Sequence, residues 1–239
     1  MSLLQHAGWD VDRVLNTISA DGFVAVEDCV PLELIEDARA QAEMAVDGNR
    51  GEYVAFEGQD GLAGPLLTEL HRDPELSALC NALYARVFGR DPPDPNLGQL
   101  LRCLKGAQGR AESRYLHFDS FLITVIVPIA IPDEEPTGDL ILLRRRRSLH
   151  QSYLRNVGQK LLLDRRWAQA VLWWLIGRKW VASTRLRLRH GSIYLFFGYD
   201  TLHANEPCAP DALRSTLVFH FGNPHRASPL RAWLARLRR

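Results

Sequence analysis

The sequence predicts a mainly β fold with flanking helices, a jelly roll or barrel rather than a doubly wound sheet. Three observations predict it. Short β-rich runs punctuated by Gly and Pro crowd into residues 96–221, and helical periodicity is concentrated in residues 1–95. The length of 239 residues fits one domain of the larger all-β kind, with ample material for a core.

The elements follow in order. Residues 9–47 read as helical, with Val11, Val14, Leu15 and Ile18 at helical spacing until Asp21-Gly22 breaks the pattern. Gly22–Val26 is a short strand, and Pro31 opens a second helix over Leu32–Val46. Pro74–Phe88 is helical, with Asp73 as its N-cap and Gly89 as its stop. A Pro-rich joint, Asp91–Pro95, closes this N-terminal part. Strands are expected at Gln99–Lys105, Tyr115–Ile131, Asp139–Leu143, Arg185–Arg189, Ser192–Phe197 and Leu213–Phe221. A helical insertion, 148–181, interrupts them, and a basic helix over 228–239 ends the chain.

Composition is that of an ordinary globular protein, which excludes collagen, disordered and disulfide-scaffold classes. The four cysteines, Cys29, Cys80, Cys103 and Cys208, have no C-x-x-C spacing. The first 18 residues lack a signal-peptide core, and no stretch is long and apolar enough to span a bilayer. A reduced, cytoplasmic protein is expected. The net charge of +1 hides a polarity: residues 1–140 carry 10 Lys+Arg against 24 Asp+Glu, and residues 141–239 carry 19 against 4. Either the halves neutralise each other or the basic half meets an anionic partner. No nucleic-acid partner is expected.

The insertion holds Leu161, Leu162, Leu163, Trp167, Val171, Leu172, Trp173, Trp174, Leu175, Ile176 and Trp180, flanked by Arg165, Arg166, Arg178 and Lys179. Two readings stand for it. It is a lid or outer helix packed on the sheet, or an interfacial segment resting on a membrane through 161–180. The stretch 229–239, with Trp233 and four arginines, repeats the pattern. The run Arg144–Arg147 is either a solvated loop or, by alternation, sends a pair toward a path for an anionic substrate.

Two short segments carry the chemistry. His117-Phe118-Asp119 places two ligand types at i and i+2 of an extended chain, so both point to one side. His203 supplies a distant third ligand. Two histidines and one carboxylate form the facial set that holds Fe(II) and leaves open positions for oxygen chemistry. Arg214, eleven residues after His203, offers a fork suited to a carboxylate, and Thr216 shares its strand face. His220 has the same parity and is expected inside the barrel as a packed or supporting residue. His190 and His225 read as loop residues, and His6, His71 and His150 lie outside the barrel pattern. Gln99, Arg102 and Tyr115 sit on strands expected to neighbour the metal.

With Leu116–Asp119, the run His190–Gly198, Leu202–Asn205 and Arg214–Thr216 in hand, the chain resembles the Fe(II)/2-oxoglutarate-dependent oxygenases, and within them the phytanoyl-CoA dioxygenase-like group. The likeness runs from about Phe23 to Phe221 and rests on these few residues. It implies a double-stranded β-helix, a cupin-like jelly roll, with helices ahead of it and a single oxygenase domain over 1–239. It implies Fe(II) held by His117, Asp119 and His203, and 2-oxoglutarate as co-substrate bound by Arg214 and Thr216. The implied reaction is hydroxylation of an unactivated C–H bond, with release of succinate and CO₂; the tryptophan-rich, basic insertion points to a hydrophobic, lipid-like or carrier-bound small molecule as the substrate. Asp119 sets the chain apart from halogenases that replace the carboxylate by halide. Two other classes remain open: a cupin-type oxygenase working without 2-oxoglutarate, and a non-catalytic cupin-like protein binding a ligand or membrane surface.

Overall fold

Alternation along the strands organises the molecule. The structure, a computed structural model, describes residues 2–4, 9–146, 158, 159 and 161–225, with the backbone alone at 144–146. The expected helix at 228–239, the start of the insertion at 148–157, His6, His150 and the side chains of Arg144–Arg147 lie outside the described residues.

The helices α1 (Val11–Asp21), α2 (Leu32–Gly48), α3 (Pro65–Thr68) and α4 (Pro74–Phe88) precede the main strands. Asp10 caps α1 by accepting from the Asp12 and Arg13 N–H groups. Asp73 caps α4 through Glu75 and Leu76, 3.0 Å each, as the sequence predicts. Between them lie β1 (Val24–Val26) and β2 (Val54–Glu57), the latter unexpected because four residues give too short an alternation to read. Then come β3 (Gly98–Leu104), α5 (Gly106–Glu112), β4 (Ile123–Ala130), β5 (Leu140–Arg146), α6 (Arg166–Gly177), β6 (Ser183–Leu186), β7 (Ile193–Phe196), β8 (Thr201–Asn205) and β9 (Arg214–Phe221).

Two antiparallel sheets result. The larger has the order β1-β7-β4-β9-β3-β2 and the smaller β6-β5-β8. The fold is therefore the jelly roll, a double-stranded β-helix, that the sequence predicts. On β9, Leu217, Phe219 and Phe221 point to one side and join the main core under the N-terminal helices. Arg214, Thr216, Val218 and His220 point to the other, into the space between the sheets. Neighbouring strands match this register: Ile123, Val125 and Val127 of β4 and Leu101 and Cys103 of β3 enter the same helix-covered core. Ile126, Leu140, Leu142, Tyr194, Phe196 and Val218 fill the gap between the sheets. β4 is buried on both sides along its whole length, which its unbroken apolar sequence requires. The outer side of the smaller sheet, with Ile141, Leu143, Leu202 and Ala204, is covered by Leu172, Trp173 and Ile176 of α6.

Three expectations are corrected. The predicted strand Tyr115–Ile131 is two pieces: an extended segment holding the isolated bridge His117↔His203, then a bend at 120–122 before β4. β8, which carries His203, is absent from the strands read in the sequence. β5 does not end at Leu143; its backbone pairs Arg146 with Thr201 across a register shift.

Candidate metal centre

The bend after Asp119 explains how a short motif grips one point. His117 is fixed to β8 by reciprocal backbone bonds with His203, 2.9 and 3.1 Å. Asp119 then donates its N–H to the Gly198 carbonyl at the end of β7, 2.9 Å away. The three candidate ligands thus rest on β8, on the segment bridged to it, and on the turn that leaves the larger sheet.

Their donor atoms all lie within 4.8 Å of one another, and among the described residues they alone form such a group. His117 Nε2 is 3.6 Å from Asp119 Oδ1, and His203 Nε2 is 3.5 Å from Asp119 Oδ2. Each histidine turns its other nitrogen to the carbonyl two residues earlier: His117 Nδ1 to Tyr115 O at 2.8 Å, His203 Nδ1 to Thr201 O at 2.9 Å. A carbonyl only accepts, so in each ring Nδ1 carries the proton and Nε2 is the nitrogen aimed inward. Burial pushes the His203 imidazole down to about 4, which keeps it neutral and ready as a ligand. Burial alone would raise the Asp119 carboxyl. The facing His203, His220 and His117 rings, with the Thr124 hydroxyl, outweigh it and hold the group well below the usual carboxylate range. Two imidazole nitrogens and one carboxylate, with His203 and Asp119 buried and His117 half-buried, fit a divalent first-row ion such as Fe(II) with one face left open.

The same cavity, about 80 Å³, is lined by Arg102, Arg214, Thr216 and His220, with Leu100, Ile126, Leu140 and Val218 as apolar walls. Arg214 is 1% exposed. Its Nε donates to Gly138 O at 2.7 Å and an Nη to Asn205 Oδ1 at 3.0 Å. No carboxylate among the described residues pairs with it. Burial, aided by nearby Arg102, pushes its guanidinium from 12.5 down to about 10. A buried cation with donors to spare is a site for an anion.

Other expectations sort cleanly. Arg102 and His220 reach the cavity; His220 Nε2 stands 3.7 Å from Asp119 Oδ1 and stacks with Phe121. Gln99 does not: it faces the helices and donates to Leu67 O, because its parity on β3 is opposite to that of Arg102. Tyr115 stacks with His117 outside the cavity and donates to Asp164. His190 accepts from the Ile131 N–H, and His225 meets Tyr199.

Three contributors were not read in the sequence. Thr124 donates to Asp119 Oδ2. Gly198 lies so close that a Cβ would collide with Asp119 Oδ2 and Thr124 Oγ1. Gly138, at φ +75, packs on the Arg214 stem, where a Cβ would strike Cδ. Thr124 shares its parity with Ile126 on β4, the one signal that could have marked it. The glycines read as turn residues.

No known family model matches the chain, and no curated protein matches it in sequence. Solved structures do. A prolyl-4-hydroxylase from Pseudomonas putida aligns with 90% of this chain and 99% of its own, at 9% identity and TM-score 0.55. The non-heme alpha ketoglutarate-dependent epimerase SnoN of nogalamycin biosynthesis aligns over 88% and 83%, at 15% identity and TM-score 0.57. SnoN has also been solved with Fe³⁺ and alpha ketoglutarate bound. AviO1 from Streptomyces viridochromogenes Tue57 aligns over 92% and 97%, at 14% identity and TM-score 0.56. What the chain shares with these proteins is the fold.

Proposed function

We propose that the chain is an Fe(II)- and 2-oxoglutarate-dependent oxygenase. It hydroxylates an unactivated C–H bond of a hydrophobic, lipid-like small molecule, with succinate and CO₂ as co-products. One observation carries the reading: the buried Arg214 guanidinium, with no carboxylate partner among the described residues, opens into the cavity that holds the His117–Asp119–His203 donors. A metal triad alone would suit many reactions; a triad beside a fixed carboxylate receptor suits a chelating dicarboxylate. SnoN, of the same fold, binds iron and alpha ketoglutarate together, which supports the assignment. The narrower likeness to the phytanoyl-CoA dioxygenase-like group rests on the sequence motifs.

His117, Asp119 and His203 would hold the ion, which supplies oxygen activation when bound. Arg214 and Thr216 bind the distal carboxylate and so fix the direction in which the co-substrate enters. Gly138 and Asn205 fix the orientation of the planar guanidinium for that task. Leu100, Ile126, Leu140 and Val218 exclude water from the pair.

Anaerobic titration of the metal-free protein with Fe(II), then 2-oxoglutarate, tests this. A weak visible charge-transfer band is expected only with both additions, and not in His117→Ala. Absence of the band in folded, iron-loaded protein would rule out 2-oxoglutarate and leave the cupin-type or binding-module reading.

A further inference from the structure

α6 is apolar on more than one side, yet among the described residues only one side is covered. Its inner face, with Ala168, Leu172 and Ile176, lies on the smaller sheet. Trp167, Val171 and Trp174, at i, i+4 and i+7, line the outer face and are 61%, 49% and 49% exposed. Trp180, 70% exposed, packs edge-on against Trp174 with ring centroids 5.0 Å apart. An apolar helix flank left in water calls for a second environment.

The charges say which one. Arg165 and Arg166 stand at one end of this face, Arg178 and Lys179 at the other, and α6 itself contains no acidic residue. None of the four forms an ion pair among the described residues. Arg165 and Arg166 sit at a helix N-terminus, where the positive end of the helix dipole disfavours cations. Their placement does nothing for the helix. A polyanion would answer the cations and leave the tryptophans in water. A second copy of the chain would cover the tryptophans and press like charges together. An anionic bilayer answers both, since tryptophan settles at the headgroup level and cations meet the surface charge.

We propose that the outer face of α6, with Trp180, docks on an anionic lipid surface, the four cations meeting its headgroups. The surface requires neither iron nor 2-oxoglutarate, so its test is independent of the proposed activity. The full chain is sedimented with phosphatidylcholine vesicles, with and without about 30% phosphatidylglycerol. Binding is expected with the anionic vesicles only, with a blue shift of tryptophan emission and quenching by brominated acyl chains. Each cation is worth about a fivefold gain in partition, so Arg165→Gln with Arg166→Gln lowers it roughly 25-fold. Trp167→Ser with Trp174→Ser abolishes the shift while the far-ultraviolet circular dichroism stays unchanged. Three outcomes would overturn the proposal: no binding to anionic vesicles, binding undiminished in both variants, or a dimer that the tryptophan substitutions dissolve.

Discussion

Arg214→Met removes a charge while keeping most of the stem, and the structure supplies both sides of the account. Holding a guanidinium at about 10 instead of 12.5 costs the folded, ligand-free protein about 3 kcal/mol. Against this stand two charge-assisted bonds, to Gly138 O and Asn205 Oδ1, at roughly 1.5–3 kcal/mol each. The ligand-free variant is therefore expected within about 3 kcal/mol of the parent in urea unfolding. Binding is a different matter. Deleting one partner of a buried, hydrogen-bonded charge pair costs about 2–5 kcal/mol, and each 1.4 kcal/mol is about tenfold in affinity. The dissociation constant for 2-oxoglutarate should rise between roughly 30-fold and a few thousandfold. At a hundred times its own dissociation constant, 2-oxoglutarate adds about 2.7 kcal/mol to the parent's stability. At that same concentration the variant gains less than about 1 kcal/mol. Calorimetric titration of the metal-loaded protein measures the first effect and thermal unfolding the second. An affinity within threefold of the parent would refute the carboxylate role of Arg214.

Gly198→Ala drives a methyl group into the Asp119 carboxylate and the Thr124 hydroxyl, so Fe(II) or Mn(II) affinity should fall about 10- to 100-fold, read by metal titration. Gln169 of α6 bonds both the N–H and the carbonyl of Leu116, at 2.9 and 2.8 Å, beside the ligand His117. Gln169→Leu strands these buried groups, at roughly 2–4 kcal/mol of stability in urea unfolding, and the Leu116 amide should exchange hydrogen faster. In the metal-free protein, His203 stays neutral down to about pH 4, whereas its unfolded form takes up a proton near 6.5. Between those values the unfolded state binds more protons, so stability falls as the solution is acidified, by about 3 kcal/mol across the window. His203→Asn should flatten that slope; an unchanged slope would assign it to other groups.

The sequence spoke most clearly where chemistry and parity coincide. His117, Asp119 and His203 meet at one point, and Arg214, Thr216 and His220 share the inward side of β9 because alternation on a doubly buried strand admits one arrangement. The capped start of α4 was legible for the same local reason, since Asp73 acts within three residues; the Asp10 cap of α1 was not read. What stayed hidden depends on distant parts of the chain. β8 exists because β5 pairs with Thr201–Asn205, and nothing in that mixed pentapeptide favours a strand by itself. The break between Asp119 and β4 is set by the Gly198 carbonyl and by Leu122 donating to Gly222 O, neither visible in a run of β-formers. Gly138 and Gly198 contribute by lacking a side chain, and an absence leaves no pattern to read.

The donor set belongs to neither sheet alone. His203 rides on β8 of the smaller sheet, while Asp119 is held by Thr124 of β4 and by the turn after β7, both in the larger. An ion bound there would be a cross-brace, joining two layers otherwise held mainly by side-chain packing. Opening of the sandwich and release of the metal then become one event: the layers cannot part while the ion ties Asp119 on one side to His117 and His203 on the other. Chelation should accordingly loosen the whole β-sandwich rather than one loop, and protection of strand amides on both sides of the gap should rise and fall with metal occupancy.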